Sequence, residues 1–63
     1  MHNLEIRAAI RRAGFFGYEV AAALGVSESY FSRLLSRSEI SAEKKENILH
    51  AIEKMSIDRE LAQ

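Results

Sequence analysis

The sequence predicts an all-α domain, a compact bundle of four or five helices. Three observations point to it. Apolar residues recur at the 3,4 spacing of a helical face in separate stretches, no proline interrupts them, and single residues suited to helix ends (Gly14, Gly25, Ser27, Ser41) fall between them. Sixty-three residues make one domain, 1–63. A core of this size supplies only ~3–5 kcal/mol of net stability. With no cysteine there is no disulfide and no thiolate metal site, so packing alone must hold the bundle.

The first helix is expected to open at Asn3, a residue type favoured as N-cap. Ile6, Ala9, Ile10 and Ala13 form its inner face, and Gly14 suits the left-handed residue that closes a helix. Arg7 and Arg11 lie off that face, and Arg12 sits in the last turn, where a cation suits the helix dipole. "FFGYE" is a short connection into the second helix. Two adjacent phenylalanines cannot both be buried in so short a loop, and Phe16 is expected to be the exposed one. Tyr18 falls in the first turn, covering the core edge with its hydroxyl outward, and Val20, Ala21 and Leu24 face inward.

The stretch "VAAALGVSESYFSRLL" is strong helix, then glycine, then helix again within three residues. Ser27 is the expected N-cap of the third helix, with Glu28 favourable at its positive end. Phe31, Leu34 and Leu35 cluster on one side. At ~100° per residue the opposite side is centred on Ser29, Arg33 and Ser36, flanked by Ser32 and Arg37. Small hydroxyls and arginine are a poor choice for helix stability, where surfaces usually carry Glu, Lys and Gln. The face therefore looks selected for contact. "SRSEIS" reads as a loop, and Ser41 caps a fourth helix over about 41–56, with Ile48, Leu49, Ile52 and Met55 inside. Residues 57–63 are a tail that either frays or extends the fourth helix, and in it Ile57 and Leu61 either pack back or meet a second subunit.

Two short helices joined by a glycine-containing turn make a helix-turn-helix, here over about 17–37. Ala21 permits close helix approach, Gly25 supplies a positive φ, and Val26, Phe31 and Leu34 lock the second helix across the first.

At these residues the chain resembles the repressor/Cro-like helix-turn-helix family of bacterial and phage transcription regulators. "EVAAALGVSESYFSRLL" is similar to its core motif, with an amphipathic helix before and after, over roughly Leu4 to Met55. Within the family it looks most like small stand-alone regulators carried by phages and mobile elements. The resemblance implies a lambda-repressor-like bundle that binds double-stranded DNA with its third helix in the major groove, often as a homodimer on an inverted repeat. It implies base reading by Ser27, Ser29, Ser32 and Arg33 and phosphate contact by Tyr18, Ser36 and Arg37. Two positions depart from the pattern. Gly17 replaces the polar residue that often opens the second helix, and Glu28 sits where a DNA-contacting Gln is common.

Charge is compatible with this reading without demanding it. The chain is neutral overall, but the residues through Arg37 carry +2 and those from Ser38 carry −2. An enzyme is not expected: there is one aspartate, no carboxylate pair in a plausible pocket and too little chain to enclose a site. His2 and His50 share no ligand spacing, so neither metal nor cofactor is expected. No segment is long and apolar enough to span a membrane, and Glu5 and Arg7 interrupt what a signal peptide would keep apolar, which predicts a cytoplasmic protein. The alternative is a protein-binding helix-turn-helix module such as an antirepressor or adaptor, favoured by zero net charge, Glu28 and Phe16.

Overall fold

The computed structural model describes residues 2–62, so Met1, and Gln63 at the end of the expected tail, lie outside the described residues. Four helices form the molecule: α1 (Leu4–Ala13), α2 (Gly17–Leu24), α3 (Glu28–Arg37) and α4 (Ala42–Leu61). No strand occurs among the described residues.

The ends of α1 and α2 are built alike. Gly14 (φ 79°) and Gly25 (φ 78°) are both left-handed. After α1, Gly14 N–H donates to Arg11 O and Phe15 N–H to Ile10 O; after α2, Gly25 N–H donates to Ala22 O and Val26 N–H to Ala21 O. This is the paired closure in which the residue after the glycine turns an apolar side chain back onto the helix. Phe15 accordingly enters the core, and Val26 packs against its edge. Phe16 stays outside at 66% exposure, as expected.

The helix starts differ. Ser27 Oγ accepts from Tyr30 N–H at 3.1 Å and Ser41 Oγ from Lys44 N–H at 3.2 Å, as N-caps should. At α2 the Glu19 carboxylate accepts from Phe16 N–H at 2.8 Å, which is half of a capping box because Phe16 has no side-chain acceptor. Asn3 corrects the expectation. It precedes α1, yet its side chain makes no capping bond and its backbone is left-handed (φ 59°, ψ 41°). The buried amide instead spans to the end of α3: Nδ2 donates to Leu35 O (2.8 Å) and Ser38 O (2.9 Å), while Oδ1 accepts from Ile40 N–H (3.1 Å).

Two further boundaries differ from expectation. Ser36 and Arg37 belong to α3, so the loop is only Ser38–Ser41. The fourth helix does not stop near residue 56 but continues to Leu61. The apolar stripe ends at Met55, but Arg59 extends the docking: Nη1 donates to Ala13 O at 3.2 Å, and the guanidinium lies 3.9 Å from the Phe15 ring centre.

α1 packs along α4, and α2 packs against both α3 and α4. Glu5 pairs with Lys45 at 2.7 Å near the helix starts, and Arg59 meets Ala13 near the ends, so α1 and α4 run parallel. The core contains Ile6 and Ile10 of α1, Phe15, Val20 and Ala21 of α2, Phe31 and Leu35 of α3, and Ile48 and Ile52 of α4. Ile57 and Leu61 do not pack back; they are 49% and 80% exposed. No helix among the described residues is long and apolar enough to cross a membrane.

Candidate nucleic-acid interface

The three residues between Leu24 and Glu28 reverse the chain, and what they hold out is α3. Its inner side is fixed by Phe31 and Leu35, both almost fully buried, whereas Leu34, expected to share that role, is half-buried and does not pack on the core. Ser29, Ser32, Arg33, Ser36 and Arg37 are all exposed. The helical spacing therefore places the polar residues as the sequence suggested, on one outward surface with no carboxylate at its centre. Among the described residues neither the Arg33 nor the Arg37 side chain engages in an ion pair or hydrogen bond. An exposed guanidinium keeps all five donors available for an acceptor.

The other expected contact residues have local roles as well. Ser27 is exposed but its oxygen caps α3, which leaves the hydroxyl proton for an outside acceptor. Tyr18 does not lie over the core edge. It is 53% exposed and stacks on Phe16, with centroids 5.7 Å apart and planes 14° apart. Tyr30, on the Arg37 side of α3, is 47% exposed.

Beside this surface is a cleft of about 670 Å³ between α1 and α3. Ile10, Phe31 and Leu35 form its apolar floor, Arg7 and Arg11 stand on the α1 wall, and Ser32 on the α3 wall. Phe16 and Glu28 mark one end. The two helices approach where Arg7, early in α1, bonds Ser36, late in α3. Arg7 is half-buried, its Nη2 donating to Ser36 Oγ (3.1 Å) and its Nε to His2 O (3.3 Å). Sequence reasoning placed Arg7 and Arg11 off the inner face but missed this crossing. The available signal was a match of spacing, arginines four apart on α1 and serines four apart on α3.

No group of three or more His, Cys, Asp or Glu side chains capable of holding a metal ion occurs among the described residues. No protein-family model, curated protein or solved structure matches this chain.

Proposed function

We propose that the protein is a sequence-specific DNA-binding transcriptional regulator of repressor-like type, its α2–turn–α3 unit acting as a helix-turn-helix with α3 in the major groove. The observation that carries this is the two-sidedness of α3. Phe31 and Leu35 anchor the helix from behind, while Ser29, Ser32, Arg33, Ser36 and Arg37 face out together. The major groove admits an α-helix, and arginine reading guanine O6 and N7 is the commonest specific contact there. Ser29, Ser32, Arg33 and Ser27 are the proposed base readers, with Ser36, Arg37 and Tyr18 on phosphates. One such helix reads a short site, so two copies on an inverted repeat are proposed as the bound state.

The stacked, exposed Phe16–Tyr18 pair favours a second reading, a protein-binding module that uses the same fold. Selection from a random duplex library at low salt separates the two. The DNA reading predicts enrichment of one motif, arranged as an inverted repeat, with affinity falling as log–log salt slope of about −0.9 per phosphate neutralised. Failure to enrich any sequence, with no binding at low salt, contradicts it and leaves the protein-binding reading.

A further inference from the structure

We propose that the α1–α3 cleft is a second nucleic-acid contact, seating the sugar–phosphate backbone of one DNA strand with Arg7 and Arg11 as its cations. The inference rests on the DNA-binding reading above and adds a site to it that the third helix does not provide.

The cleft is continuous with the outer surface of α3, since Ser32 lines it and Ser36 bonds the Arg7 guanidinium that stands in its wall. A strand leaving the edge of the groove read by α3 therefore passes along α1. Arg7 and Arg11 are four residues apart on one helix, a spacing of about 5–6 Å between Cβ atoms, which suits neighbouring phosphates on one strand. Arg12 has a different position. It lies about 100° further round the helix from Arg11 and does not line the cleft.

Arg7 is also held in place before any ligand arrives. Its bonds to Ser36 Oγ and His2 O use two of its five donors and leave three for an incoming anion. A guanidinium already fixed in place loses less side-chain freedom on binding. The one opposing charge in the cleft is Glu28, at the end away from Arg7. Its carboxylate repels a phosphate and confines the strand to the Arg7–Arg11 stretch.

The test titrates a duplex carrying the selected motif with wild-type protein, Arg11→Ala and Arg12→Ala over a range of salt concentrations. Thermal melting of each variant verifies that it is folded. The Arg11 side chain makes no hydrogen bond or ion pair among the described residues, so its removal should leave the domain folded. Arg11→Ala is expected to reduce the salt slope by about one per bound copy. It should weaken all sequences alike, roughly five- to tenfold at 0.1 M salt. Arg12→Ala should have a much smaller effect. If Arg11→Ala matches wild type, or Arg12→Ala matches Arg11→Ala, the cleft holds no phosphate and the inference falls while the DNA reading stands. If wild-type protein binds no duplex even at low salt, both fall.

Discussion

Gly25 shows how much a single backbone angle decides. Its φ of 78° is one that side chains with a Cβ rarely adopt, and a Cβ built there would meet nothing within 4 Å. The cost of a larger residue is therefore conformational rather than steric against neighbours. Gly25→Val is expected to destabilise the domain by about 1–3 kcal/mol, because a β-branched residue is a genuine outlier in this region. Gly25→Asn should recover much of that loss, since asparagine tolerates left-handed backbone. Chemical denaturation of the two variants compares them directly. An unchanged midpoint for the valine variant would show that the turn does not constrain the fold. Gly14 shares this angle, and both turns could be read from the sequence because an apolar residue follows each glycine.

Between elements, the decisive contacts are polar ones that no periodicity announces. Asn3 joins the start of α1 to the end of α3 and the following loop through three side-chain hydrogen bonds. Its backbone adds a fourth, Asn3 N–H donating to Glu39 Oε1 at 2.9 Å. Asn3→Ala removes the side-chain partners of Leu35 O, Ser38 O and Ile40 N–H. Leaving one buried and two part-buried backbone groups unpaired while forcing alanine into left-handed backbone should cost on the order of 3 kcal/mol. That is most of what so small a domain has to spare. Asn3→Asp keeps the acceptor for Ile40 but turns a carboxylate oxygen toward the Leu35 and Ser38 carbonyls with Glu39 beside it, and should be no more stable than alanine. Circular-dichroism melting measures the series, and an alanine variant as stable as wild type would contradict the clasp. The sequence marked Asn3 as a helix boundary, which it is. A choice between capping its own helix and reaching another depends on where α3 ends in space, and no local pattern encodes that. The last turns of α4 are a similar case. Their apolar stripe stops at Met55, yet a single residue, Arg59, ties them to Ala13 and Phe15.

At the scale of the whole molecule, cations gather on one side. Arg7 and Arg11 border the cleft and Arg33 and Arg37 are exposed on α3, whereas the cations of α4 are interspersed with Glu43, Glu46 and Glu53. The all-helical architecture was legible because each core stripe is continuous within its own helix: Ile6 and Ile10, Val20 and Ala21, Phe31 and Leu35, Ile48 and Ile52. The outer surface of α3 was legible for the same reason, as the complement of Phe31, Leu34 and Leu35. The cleft was not, because it arises from how α1 crosses α3, which depends on the Asn3 clasp and on Phe15 filling the corner between α1 and α2.

The central claim is that the outer surface of α3 meets base edges, and Arg33 and Arg37 test it together. Both are exposed and neither contributes to the core, so replacing either should leave the fold intact. Arg33 is near the centre of the outer surface, and Arg37 is one turn on, at the end of α3 where the helix would leave the groove. The measurement is binding of Arg33→Ala and Arg37→Ala to the selected site and to its single-base variants, over a range of salt. Arg33→Ala should cost about 1–3 kcal/mol on the preferred site and relax selectivity at one or two base pairs. Arg37→Ala should weaken all sequences about equally and lower the salt slope by about one per bound copy. Unchanged affinity and base preference in a folded Arg33→Ala protein would contradict the claim, and would mean that α3 faces something other than a DNA groove.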